Sequence, residues 1–137
     1  NSDTSNTKSS TQTVEATDGI KFNHESWANI LATAKKENKL IFLDISAALC
    51  GSCKMLKKNT FPNKAVGDFY NANFISAEVD GEVGEGINLA QQFEIEGYPS
   101  LIFVNGDGQL VYKMAGYLEP NDFIKLGNEV LNATKKQ

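Results

Sequence analysis

The stretch Leu40-Ile-Phe-Leu-Asp-Ile-Ser-Ala-Ala-Leu-Cys-Gly-Ser-Cys-Lys-Met55 decides how this chain is read. Residues 40–45 are β-formers with the near-continuous hydrophobicity of a strand covered on both faces, broken by one carboxylate, Asp44. Small residues then lead into Cys50-Gly51-Ser52-Cys53, and the segment 54–58 beyond favours helix. Both cysteines are therefore expected in the first turn of a helix leaving the C-terminal end of a buried strand. That is where an α/β sheet keeps its reactive groups.

The cysteine count sharpens this. The chain has only two, three positions apart, a spacing that chance gives about one time in seventy for a chain of this length. A disulfide between them closes a loop of four residues, and the chain-entropy estimate for so short a loop is only ~2 kcal/mol. As a staple it is weak. As a redox pair it is well placed, since residues i and i+3 share one helix face within disulfide reach.

Bulk properties bound the rest. A length of 137 residues suits one domain with a real core, and 41% hydrophobic with 22% charged residues is ordinary for a globular protein. A net charge of -4 and a pI near 5.0 argue against nucleic acid as a partner. No run reaches the length of a transmembrane helix and no signal peptide is visible. The start at Asn1 is read as processing or trimming.

Outward from the central stretch, residues 1–18 read as a disordered polar tail, either a plain terminus or a spacer to a membrane anchor, and 19–137 as the folded domain. Trp27, Ile30, Leu31 and Ala34 carry helical spacing, with Asn23 or Ser26 as cap; His24, the only histidine, is expected to be a solvated surface residue. After the cysteine helix, 60–63 breaks the chain, and Val66, Phe69 and Tyr70 mark a second helix. Residues 74–79 read as a strand, 87–93 as a helix, and Gly97-Tyr98-Pro99 as a break. A hairpin follows, 101–104 and 110–114 around Asn105-Gly-Asp-Gly108, then Gly116 and a helix opened by Pro120 with Phe123, Leu126, Val130 and Leu131 on one face. No internal repeat is present. The order αβααβαββα implies an α/β fold: parallel strands joined by helical crossovers, closed by an antiparallel hairpin and a covering helix, with helices on both faces of a mixed sheet.

This order with this motif resembles the thioredoxin fold over residues 24–133. The resemblance rests on Cys50-Gly-Ser-Cys53-Lys54, Asp44 six positions before the first cysteine, Gly97-Tyr98-Pro99-Ser100 entering a strand, the turn at 105–108, and Gly116. The motif followed by Asn59-Thr-Phe-Pro-Asn-Lys-Ala-Val66 is similar to the C-terminal domain of the DsbD-type membrane electron conductor and to related exported thioredoxin-like proteins. Three departures bear on substrate choice and redox poise. Leu49 replaces the usual tryptophan, Ser52 stands where thioredoxin has proline, and Ser76 stands where a lysine would face the buried carboxylate.

The residues then take roles. Cys50 is read as the nucleophile, its thiolate favoured by unpaired N–H groups at a helix start and by Lys54, with small Gly51 and Ser52 admitting a substrate disulfide. Cys53, pointing inward, resolves the mixed disulfide. Asp44, desolvated in its strand, is read as the base that takes the Cys53 proton. The resemblance implies a cis bond at Pro99 facing the cysteine pair, with the Tyr98 backbone pairing to an extended substrate segment; the ring of Tyr98 suits either a docking groove or the core rim.

These readings make the chain a thiol–disulfide oxidoreductase acting on protein thiols and disulfides. It is expected to be a reductant, since no histidine between the cysteines stabilises the thiolate as in strong oxidants. The redox-active disulfide is its only expected cofactor. Structural zinc wants four ligands, and haem attachment wants histidine where Lys54 stands. An upstream thiol electron donor, such as a membrane protein, a monomeric state, and a periplasmic or otherwise exported location with tethering through the tail complete the expectation. The alternatives are a cytoplasmic reductase, an oxidase or isomerase, and a binding or chaperone module whose cysteines are incidental.

Overall fold

The fold is that of a computed structural model, described for residues 18–135. Apart from Asp18, the expected polar tail lies outside the described residues. The elements are α1 (Trp27–Glu37), β1 (Leu40–Ser46), α2 (Gly51–Met55) running on as a π-helical turn (Leu56–Thr60), α3 (Lys64–Asn73), β2 (Phe74–Asp80), α4 (Glu85–Gln92), β3 (Ser100–Val104), β4 (Leu110–Ala115) and α5 (Pro120–Lys135).

The strands form one mixed sheet in the order β2-β1-β3-β4. β1 runs parallel to β2 and antiparallel to β3, and β3 runs antiparallel to β4. The hairpin therefore enters the sheet through β3, and β1–β2 is the one parallel strand pair among the described residues. With neighbours on both edges and helices over both faces, β1 is buried from Ile41 to Ser46. That is why its sequence lacks the polar alternation of a half-exposed strand.

Alternate residues of β1 feed two cores. Ile41, Leu43 and Ile45 pack with Ile30 and Ala34 of α1 and Leu89 of α4. Phe42 faces the other way, among Val66 and Tyr70 of α3, Leu56, Phe61, and Phe123 and Val130 of α5. Phe42 has the rings of Phe22, Phe61, Tyr70, Phe103 and Phe123 around it, with centroids 5.0–6.4 Å away. Such side chains stabilise by roughly 1.5–3 kcal/mol each on burial. Tyr70 stacks on Phe123 at 4.2 Å, and its hydroxyl donates to the Phe123 carbonyl at 2.8 Å, satisfying the one polar atom this ring brings inside.

Local chemistry sets the helix ends. Ser26, not Asn23, caps α1 by accepting from Asn29 N–H at 3.2 Å. Asn63 caps α3 by accepting from Val66 N–H at 3.0 Å, and Pro120 opens α5 as the sequence suggests. The π-helical turn, closed by Phe61 N–H to the Leu56 carbonyl at 2.8 Å, has no counterpart in the sequence reading.

Ahead of α1 the chain forms a strap along the outer edge of β2. Asn23 N–H donates to the Ser76 carbonyl at 2.8 Å and Asn23 bridges Ala77 in parallel register, while Ile20 N–H reaches the Phe61 carbonyl at 2.9 Å. The strap crosses α3 glycine on glycine: a side chain on Gly67 would overlap the backbone of Gly19. We therefore predict that Gly67→Ala destabilises the protein by about 1–3 kcal/mol despite its better helix propensity, a loss measurable by urea unfolding.

Candidate active site

The site is built where β1 ends and α2 begins. Cys50 is the N-cap residue of α2, in extended conformation, and its Sγ accepts from Cys53 N–H at 3.1 Å. The sulfur thus meets one of the unpaired donors of the helix start. Cys50 and Cys53 are joined in a disulfide with Cα atoms 5.3 Å apart. The two are not equivalent: Cys50 is half-buried, whereas Cys53 is 3% exposed. Gly51 is exposed with open space about its Cα, Ser52 is half-buried, and Leu49 stands 96% exposed beside the first cysteine.

The antiparallel register pairs Ile45 with Ser100 and Asp44 with Leu101, which brings residues 98 and 99 to the end of the sheet where β1 leads into Cys50. The Tyr98–Pro99 peptide is cis, Pro99 is buried, and its carbonyl accepts from Gly116 N–H at 2.9 Å. The half-buried Tyr98 packs against the core rather than standing free in a groove. Its ring and Ile45 lie over Gly81, where an added Cβ would come within 2.8 Å of both.

Asp44 is 1% exposed, and its Oδ1 has no hydrogen-bond partner among the described residues. Its carboxyl is pushed up to about 7, first by burial and then by the negative charge of Glu78, with Lys57 acting in the opposite direction. The direct register partner of Asp44 on β2 is Glu78, which sequence reading did not single out. Ser76, expected opposite Asp44, pairs instead with Phe42, and its Oγ is likewise unpartnered. Cross-strand identity depends on register, which side-chain alternation leaves open in a strand buried on both faces. His24 is exposed as expected, yet it is engaged: its Nε2 lies 2.7 Å from Glu78 Oε2.

The arrangement offers a reachable sulfur at a helix start, a second sulfur in its shadow, and a carboxyl held near neutrality in the strand behind them. Comparison with known proteins agrees with it. The family model for the thioredoxin-like domain matches residues 27–131. The chain belongs to the thioredoxin-like family.

Among curated relatives, thioredoxin H4 of Arabidopsis thaliana is 31% identical over 93 residues, covering 68% of this chain and 73% of that one. The thiol:disulfide interchange protein DsbD of Campylobacter jejuni is 31% identical over 88 residues, 64% of this chain but 15% of that protein. Rat spermatogenesis-associated protein 20 is 45% identical over 49 residues, 36% of this chain, and the match spans only 6% of its length. Among solved structures, a candidate disulphide-isomerase from Bacteroides thetaiotaomicron superposes with a TM-score of 0.74 at 34% identity, covering 83% of this chain and 94% of that one. The oxidised C-terminal domain of Neisseria meningitidis DsbD has the same fold, with a TM-score of 0.64 at 24% identity, over 80% of this chain and 98% of that one. A thioredoxin-like domain bearing the Cys50–Cys53 pair supports thiol–disulfide oxidoreductase chemistry, with the disulfide itself as the redox group.

The position of Asp44 has a consequence for stability. Its carboxyl stays protonated to about pH 7 in the oxidised fold but loses its proton near 3.8 in the unfolded chain, so folding loses stability as pH rises between these values. Asp44→Asn is expected to match the native protein below about pH 4 and to be more stable by roughly 2–4 kcal/mol at pH 8, as read by urea unfolding at both pH values.

Proposed function

We propose that this protein is a protein-disulfide reductase acting outside the cytoplasm. The observation that carries the reading is the inequality of the two sulfurs at the start of α2, one half-buried and one almost wholly enclosed. In the reduced enzyme the Cys50 thiolate attacks a substrate disulfide, forming a Cys50–substrate bond and releasing one substrate sulfur as thiolate. Cys53 then gives its proton to the Asp44 carboxylate and attacks Cys50 Sγ. The Cys50–Cys53 disulfide forms and the second substrate sulfur leaves, two electrons having passed to the substrate.

Each neighbour serves this sequence. Gly51 and Ser52 add little bulk beside Cys50, and the Tyr98 backbone, held by the Pro99 turn, offers an edge to an extended substrate segment. Proline at 99 brings no N–H to compete for a thiolate. Direction rests on what flanks the sulfurs. Gly51 and Ser52 supply no cation to stabilise a thiolate in the way a strong oxidant needs. Export and an upstream thiol donor rest on the likeness to DsbD, and the monomeric state on the family resemblance.

Equilibration of the Cys50–Cys53 pair against a dithiol buffer tests the direction. A potential at or below about -270 mV supports a reductase, and one near about -120 mV contradicts it. In the same assay series Cys50→Ser should abolish disulfide reduction while leaving the fold intact. Asp44→Asn should slow it by about a hundredfold, since a positioned base contributes at least that much.

A further inference from the structure

Three side chains stand side by side across the edge of the sheet on one face. Asp44 of β1 pairs in register with Glu78 of β2. The strap bridges Asn23 to Ala77 in parallel, so the next residue, His24, falls beside Glu78, and its Nε2 meets Glu78 Oε2 at 2.7 Å. Neighbouring strands lie about 4.8 Å apart, so the three residues occupy adjacent positions on that face. Exposure rises along the row: Asp44 is 1% exposed, while the side chains of Glu78 and His24 are 25% and 65% exposed. His24 and Glu78 line a cleft that also runs along Ala47 and Ala48, the loop leading to Cys50.

We propose that Glu78 and His24 are positioning residues for Asp44, completing a carboxylate–carboxylate–imidazole row along which the Cys53 proton leaves the buried site for solvent. This rests on the oxidoreductase reading above. When Cys53 attacks, its proton passes to the Asp44 carboxylate. From the neutral acid it moves to Glu78, then to His24 Nε2, and the imidazolium releases a proton to water at its outer nitrogen. No electron moves in these steps; His24 is left with a proton on Nε2 and regains its starting tautomer by exchanging protons with water before the next cycle. The Asp44 Oδ1 that receives the proton has no hydrogen-bond partner of its own among the described residues.

The charged groups around the row fit this use. Lys57, from the π-helical turn, lines the clefts on both sides of Glu78 and opposes the charge of the acid pair. Asp18 lines one of those clefts and Asp80 the other.

The test combines titration of the Asp44 carboxyl by carbon NMR in the oxidised protein with the rate at which a Cys50–glutathione mixed disulfide resolves. Glu78→Gln and His24→Gln preserve side-chain size. Loss of the Glu78 charge should lower the Asp44 midpoint by about one pH unit, and loss of His24, which leaves Glu78 uncompensated, should raise it. In dilute buffer His24→Gln should resolve the mixed disulfide about tenfold more slowly, and added imidazole should restore the rate. An Asp44 midpoint unmoved in both variants overturns the row, as does a slowing that imidazole leaves untouched. A native protein that never resolves the mixed disulfide sinks the oxidoreductase reading instead, while the carboxyl titration still decides whether the three groups are coupled.

Discussion

A carboxyl group placed in a strand buried on both faces of a sheet is expensive, and much of this molecule is arranged around that expense. Asp44 sits with β2 on one side, β3 on the other and a wall of aromatic rings on its own face. Every other position of β1 facing that core or the opposite one is apolar, apart from Ser46 at the strand's end. The rings of Phe42, Phe61, Tyr70 and Phe123 fix the strand and the helices over it, and the same burial of the strand disfavours ionisation of Asp44. The packing that makes the domain stable therefore also prepares the carboxyl to exchange a proton near neutrality.

The Cys50–Cys53 pair stands where this interior meets solvent. β1 delivers the chain to Cys50, the first turn of α2 presents one sulfur outward and folds the other inward, and the antiparallel partner β3 brings Pro99 to the same end of the sheet. Leu49, almost fully exposed, is the apolar side chain adjacent to Cys50 along the chain.

Much of this was legible in the sequence, for physical reasons that differ by element. The apolar run 40–45 and the spacing of the cysteines sufficed for the central strand and the helix start, because both are local signals. The 3.6-residue patterns in α1 and α5 were equally local, and Pro120 marked its helix directly. What escaped was non-local. The partner of Asp44 is set by the register between β1 and β2, and a strand buried on both faces gives no alternation from which to read it. The contact of His24 with Glu78 depends on a strap seated by the Gly19–Gly67 crossing, and joins residues 54 apart in the chain. Glu78 alone left a trace: it is the one charged residue within the apolar run 74–79, the same signal that drew attention to Asp44.

The central claim is that Cys50 attacks and Cys53 resolves. The direct measurement is to incubate reduced Cys53→Ser protein with a disulfide-bonded substrate such as insulin and to map any adduct by mass spectrometry without reductant. The account predicts a stalled one-to-one mixed disulfide through Cys50, released by dithiothreitol. Absence of the adduct, or an adduct formed as readily through Cys53 in the Cys50→Ser protein, would contradict it.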